Sequence, residues 1–304
     1  MFKNLARVSL ATAMTFCVVA CSNDSTPSAP ASAGAGPEAT IQTSVALAKK
    51  GDVAGLIQNM LPPADFERIK VEWNDSKGAA EPSDEDRQKF AEMMAKLTAP
   101  NAVETIYSEI EPDIKQFDEQ YQQQLPTMVA MGRGYVQGLI QQSEELSAAE
   151  KEQANNAIQA LGNWVEKTRF TDPALVKKAL GVLSETAREL DLKSLDEARA
   201  LTFDQSAPKL QIAFNGVKKL FDVYGFSIND TLDSVKSEVV STDGNNAKVK
   251  IAYNLLGAAL TAETDMVKVG DRWYGKDTLD KLKERDAEAA EDTDADVDSD
   301  ATEN

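Results

Sequence analysis

The hydrophobic period of this chain changes once, near residue 225, and that change limits the folds open to it. Before it, apolar residues recur every three to four positions, as on one face of a helix; after it they alternate, as on one face of a strand. An amphipathic helix and a half-buried strand each need a second layer to cover the apolar side. The pattern therefore predicts an α+β fold. A long helical region over about 41–224 packs with a small C-terminal antiparallel sheet of three or four strands, which a last helix follows.

The helical half is punctuated by capping chemistry. Gly51 suits the position just past a helix end and Asp52 the cap of the next helix, which carries Val53, Leu56, Ile57 and Met60 and stops at Pro62-Pro63. A short amphipathic piece follows with Phe66, Ile69 and Trp73 on one face, and 74–82 reads as a loop. Ser83 with Asp86, Asn101 with Glu104, Ser147 with Glu150 and Ser194 with Glu197 have the spacing of capping boxes, and Asp172-Pro173 adds a cap with proline at the first helical position. Behind them lie Phe90, Met93, Met94 and Leu97; Val103, Ile106, Ile110 and Ile114, with a kink expected at Pro112; Ile158, Leu161 and Val165; Val176, Leu180 and Leu183. A further helix is expected near 206–224.

In the C-terminal part, Ala247, Val249, Ile251, Tyr253 and Leu255 alternate with more polar residues. Asp243-Gly244-Asn245-Asn246 is a strong turn signal, residues 235–242 read as the hairpin partner, and 258–269 as the next strand. A phase slip between Met266 and Val267 hints at a bulge, and Gly270-Asp271 turns the chain into Arg272-Trp273-Tyr274. The stretch Asn246-Ala247-Lys248-Val249-Lys250-Ile251, with Met266-Val267-Lys268-Val269-Gly270-Asp271-Arg272-Trp273-Tyr274, resembles the closing sheet of NTF2-like, cystatin-type lipoprotein domains. The resemblance covers about 60 residues. It implies helices on one face of a curved sheet, often around a cone-shaped pocket, and carries over no functional residue.

The first 21 residues have three parts. Lys3 and Arg7 are positive, residues 8–20 form an uncharged, largely apolar run, and Val18-Val19-Ala20-Cys21 closes it. This is the layout of a cleavable secretory signal; the run is too short for a membrane span, which needs about 20 residues. The tetrapeptide resembles the lipobox of bacterial lipoproteins. That resemblance implies cleavage after Ala20, a lipid on Cys21 and an anchored envelope protein. Ser22 rather than aspartate follows the cysteine, which by the same resemblance implies the outer membrane with the body facing the periplasm. The plainer reading is an ordinary signal with a chance cysteine. Against it, the chain has only two cysteines, and Cys17 follows the bulky Phe16. Residues 1–20 are thus expected to be the signal peptide, and 21–40, rich in Ser, Ala, Pro and Gly, a linker reaching roughly 25 Å. Residues 41–285 are expected to form the body and 286–304, with nine acids and no base, a disordered acidic tail.

Composition excludes more than it assigns. The chain has no histidine, so neither a Ser-His-Asp nor a Cys-His mechanism can be built, and zinc would lack both its usual ligands. The net charge is −18, and losing Lys3 and Arg7 takes it to −20, which argues against nucleic-acid partners. No cofactor, no resident metal and no catalytic residue is expected. In the tail, Asp292, Asp294, Asp296, Asp298, Asp300 and Glu303 fit a calcium-loop spacing, but Val297 stands where the turn needs glycine, so a solvated tail is the better reading. Trp73, Trp164 and Trp273, and Met93, Met94, Met128 and Met131, are expected in the core rather than in a ligand or partner surface. Gly132, Gly134 and Gly138 are expected to let helices pack closely, and Lys49-Lys50, Lys177-Lys178 and Lys218-Lys219 to lie on solvated faces. The functional expectation is a non-catalytic, membrane-anchored envelope lipoprotein binding a partner or a small apolar ligand in the periplasm. The alternatives are a carboxylate-based envelope enzyme or a structural and assembly factor.

Overall fold

The structure is a computed structural model and describes residues 35–75 and 81–299, with the backbone alone for 120–122 and 288–299. The helices before the sheet are α1 (Pro37–Lys50), α2 (Val53–Met60), α3 (Pro63–Asp75), α4 (Asp84–Thr98), α5 (Ala102–Gln142), α6 (Ala148–Lys167), α7 (Pro173–Leu190), α8 (Leu195–Ala200), α9 (Phe203–Val223) and α10 (Ile228–Asp233). The sheet follows as β1 (Lys236–Asp243), β2 (Asn246–Leu255), β3 (Ala258–Val269) and β4 (Arg272–Gly275), then α11 (Lys276–Ser299). The expected α+β order is therefore the observed one.

Most starts are set by the side chains that the spacing pointed to. Asp52 accepts the Gly55 N–H at 2.8 Å, and Gly51, at φ +77°, closes α1. Ser83 with Asp86 and Ser147 with Glu150 form full capping boxes, and Asp172 accepts from Ala174 and Leu175. Asn101 makes no such bond; its backbone, at φ −108° and ψ 24°, has left the extended conformation from which a cap side chain reaches forward. Ser194 caps α8, but Glu197 reaches back to the Lys193 N–H instead of its own cap residue. Thr202 with Gln205 is a further box. α5 runs 41 residues straight through Pro112 and Pro126 as one helix.

Helix α7 is the hub of the helical half: α4, α5 and α9 all pack on it. Its inward side brings Val176 and Leu180 against Tyr107, with Val103, Ile106, Ile110 and Ile114 of α5 around them. The C-terminal part of α5 meets α6. There Gly162 lets the Arg133 side chain lie where a Cβ would stand, 2.0 Å from its Nε. Gly216 of α9 serves the same end beneath Thr186 of α7. Close helix approach is thus at Gly162 and Gly216. Gly132, Gly134 and Gly138, expected to provide it, have open space where a Cβ would be.

The sheet is a meander in the order β1-β2-β3-β4, antiparallel throughout. Gly244, at φ +56°, holds the first of the two central positions of the β1–β2 turn, where a mirror-image hairpin turn demands glycine. The inward residues of β2 are the alternating set read from the sequence, with Val249 fully buried. The bulge is not at Met266/Val267, where pairing to β2 and β4 is continuous. It lies in β1 between Val239 and Ser241, and leaves Val240 half exposed at an edge strand. Because β4 is short, residues 258–265 of β3 have no strand on the side away from β2. α6 covers that edge, and its Gln153 accepts the Thr261 N–H at 2.9 Å.

Two boundaries differ from the expected ones. α1 begins at Pro37, so residues 37–40 belong to the body and not to the linker; proline is preset for the first helical turn, and Thr40 is buried beside Ile41. At the other end α11 passes residue 286 and reaches Ser299. Leu282 packs toward Phe203, Asp286 pairs with Arg68 and Arg285 with Glu72, and Ala287, Glu288, Ala289, Ala290 and Glu291 are strong helix formers. A calcium loop over 292–303 would need a turn where the backbone of 292–299 is helical.

Candidate functional site

Ala20 and Cys21, the cleavage and lipidation residues expected from the sequence, lie outside the described residues. Beneath the sheet, the resemblance to NTF2-like domains implies a cone-shaped cavity. That volume is filled. Ile41 and Val45 of α1, Leu232 of α10, Val249 and Ile251 of β2, Met266 of β3 and Trp273 of β4 close on one another, and Val45 and Val249 have no exposed surface. A depression of about 500 Å³ does exist between the end of α5 and the start of α6. It is open and lined by Gln141, Lys151, Glu152, Asn155 and Asn156, with Ala148.

The three tryptophans separate. Trp273 is in the core, as expected. Trp164 is half-buried in an aromatic cluster, with Phe170, Phe226 and Phe221 centred 5.4, 5.5 and 6.2 Å away, and its indole N–H donates to the Tyr224 carbonyl at 2.8 Å. Trp73 is 39% exposed at the rim of a third cluster, edge-on to Phe203, which also meets Phe66. None of the three lines a cavity with the others. The methionines depart from expectation: Met94 is half-buried, but Met93, Met128 and Met131 are exposed, because α4 and the far part of α5 are covered on one side only.

Lys218 carries no local signal of its place in the fold. It was expected on a solvated face and is 4% exposed. Its ammonium donates to the carbonyls of Ala48 at 3.2 Å and Lys49 at 2.5 Å, and its stem lies by the Phe214 ring. One and two turns earlier on α9, Asn215 and Gln211 each donate to the Lys50 carbonyl at 3.2 Å. Three side chains of α9 thus donate to carbonyls in the last turn of α1, the end where a helix attracts positive charge. Burial holds the Lys218 pKa below its ordinary value. Asn59 of α2, fully buried, works similarly: its amide donates to the Thr40 carbonyl and to Ser44.

The carboxylates whose pKa is displaced are displaced downward, and capping or ion pairing accounts for each. Asp86 is held low by Ser83, Glu150 by Ser147, Asp191 by Lys193, and Asp280 by Lys276 and Lys283. A carboxyl kept charged by such partners is suited to holding a helix end, whereas a general acid at neutral pH needs its pKa raised. No group of three or more His, Cys, Asp or Glu side chains among the described residues is placed to hold a metal ion.

Glu150 gives a test of this electrostatics. The folded state lowers its pKa, so its contribution to stability is present above the ordinary value of 4.5 and lost as pH falls through the lowered one. Glu150→Gln keeps an acceptor for the Ser147 N–H but cannot titrate. The urea midpoint of the variant is expected to fall less steeply than that of the parent chain on acidification below pH 4.5. Repulsion among the remaining charges acts on both chains alike, so parallel acid limbs would show that the capping box does not hold the carboxylate charged.

Comparison with known proteins found no protein family, no curated protein and no solved structure that matches this chain.

Proposed function

We propose that the chain is a non-catalytic lipoprotein of the bacterial cell envelope, anchored through a lipid on Cys21 at the outer membrane and acting by contact with a protein partner in the periplasm. The observation that carries the reading is Val18-Val19-Ala20-Cys21 at the end of an uncharged, largely apolar run, in a chain with no histidine and no cysteine after Cys21. Such a thiol has no disulfide partner within the processed chain and no imidazole to activate it, which leaves modification as its use. Two acyl chains on one cysteine hold a protein at a membrane durably, where one chain holds it only marginally. No helix of the described residues is long and apolar enough to cross a membrane. The filled volume under the sheet favours a protein partner over a small apolar ligand.

The test is fractionation of cells producing the parent chain or Cys21→Ala, with labelled palmitate in the medium. The parent chain is expected in the membrane fraction and labelled. The variant is expected to be unlabelled and to shift almost wholly to the soluble fraction. A Cys21→Ala chain that stayed with the membranes would overturn the anchor.

A further inference from the structure

Beyond the attachment proposed above, the far end of α5 carries a surface that the fold leaves uncovered. Met128, Met131, Tyr135 and Leu139 are 53%, 70%, 70% and 46% exposed. Their spacing of three and four puts them on one face of the helix. The opposite face is the one used within the chain: Ile140 is buried there, and Arg133 reaches Glu166 at 3.2 Å and Asn163 at 3.1 Å of α6. Beside the exposed ridge lie Gly132, Gly134 and Gly138, with no atom within 4 Å of where a Cβ would be. Glycine inside a helix costs about 1 kcal/mol relative to alanine, and packing within this chain offers no return for it.

We propose that this face pairs with the same face of a second copy, the two α5 helices lying antiparallel across a two-fold axis. Four arguments single out that occupant. The first concerns the chain's own undescribed segments. With residues 1–20 removed, as the reading above has it, residues 22–34, 76–80 and 300–304 contain no large apolar side chain that could cover the ridge. The second is charge. In a chain of net charge −18, residues 120–143 contain one charged residue, Arg133, which is already paired. Two acidic molecules can approach there without setting like charges against each other. The third is shape. An axis between Arg133 and Gly134 sets Met128 of each copy opposite Leu139 of the other, and Tyr135 opposite Gly132, so that each projection meets a gap or an apolar neighbour, as a two-fold interface requires. The fourth is area. The exposed parts of these four side chains on two copies amount to on the order of 1,000 Å², which reaches the lower bound for a stable interface.

Sedimentation velocity on the purified chain carrying Cys21→Ala tests this, over a wide concentration range at low and at physiological ionic strength. A monomer–dimer equilibrium is expected. It should tighten with salt as the Debye length falls from about 30 Å to about 8 Å and screens the net charge. Met131→Glu with Tyr135→Glu is expected to raise Kd by at least about 100-fold while leaving the melting temperature of the monomer unchanged, since both side chains are exposed. A chain that sediments as monomer throughout overturns the proposal, and so does a double variant that dimerises as well as its parent. A parallel flotation with neutral phosphatidylcholine vesicles gives the third outcome. Vesicle binding by a monomeric chain, lost in the double variant, would assign the ridge to a lipid surface and overturn the dimer. None of these readouts depends on Cys21, so failure here leaves the anchor untouched.

Discussion

Val249→Asp is expected to abolish the sheet half of the fold. Val249 sits at the centre of β2, paired with Val239 on one side and Thr264 on the other, and its side chain has no exposed surface. Around it are Ile41, Val45, Leu232 and Ile251, none of which offers a hydrogen bond. A carboxylate there must either stay charged in an apolar site or take up a proton and bury an unsatisfied acid. Either way the cost is at least about 4–5 kcal/mol, set against a total stability of about 5–15 kcal/mol for a domain. Val249→Ala is the control, since it removes two methyl groups and adds no charge, at about 1.5–3 kcal/mol. The measurement is near-ultraviolet circular dichroism with urea unfolding. Trp273 lies in the same cluster, so its fixed signal should be lost in the aspartate variant and kept in the alanine variant. An aspartate variant that unfolds no earlier than the alanine one would mean that β2 does not face α1.

The order of elements was legible because each rests on a local signal. Ser83, Ser147 and Asp172 cap the helices that their spacing announces, and the alternation from Ala247 to Leu255 is the burial pattern of β2. What was illegible depends on which faces meet. Periodicity marks Met128 and Met131 as one helix face but cannot say that α6 takes the other side of α5 and leaves this one open. Gly162 and Gly132 look alike in sequence; one lies under Arg133 and the other under nothing. The apolar pattern of β3 slips between Met266 and Val267, which points to a bulge there. Pairing is in fact lost in β1, an edge strand, where a residue can leave the ladder without breaking two sets of bonds. Of the functional reading, Cys21 was legible because processing signals act on the extended chain and need no fold. The body was expected to offer a pocket by resemblance, and side chains from α1 and α10, distant in sequence from each other, fill it.

Lys218→Glu is expected to be the most damaging single change to a charged residue in this protein. In sequence Lys218 and Lys219 are an adjacent basic pair ahead of Leu220. In the fold one turns inward and the other outward. Lys219 pairs with Glu185 at 3.3 Å with about half of its side chain exposed, and reversing its charge should cost at most about 1 kcal/mol. Lys218 is almost wholly enclosed and donates to two carbonyls in the last turn of α1, of which Ala48 also takes the Gly51 N–H. Methionine in its place keeps the apolar stem over Phe214 and loses those donors, a loss of about 1.5–3 kcal/mol for hydrogen bonds to a charged group. Glutamate loses the donors and also points an acceptor at acceptors, at the negative end of a helix. It must take up a proton or pull away from Phe214, and about 3–5 kcal/mol is the expected cost. The ranking Lys218→Glu, then Lys218→Met, then Lys219→Glu, read from urea midpoints, is the checkable result. Equal effects from the two glutamate variants would place Lys218 on the surface and leave the end of α1 capped by Gln211 and Asn215 alone. The ranking also has a mechanical consequence. α1 carries Ile41 and Val45 into the core under the sheet, while its last turn is held by α9 from the helical half. Loosening that end should therefore lower the stability of both halves together, with Trp164 and Trp273 reporting a single transition at the shifted midpoint.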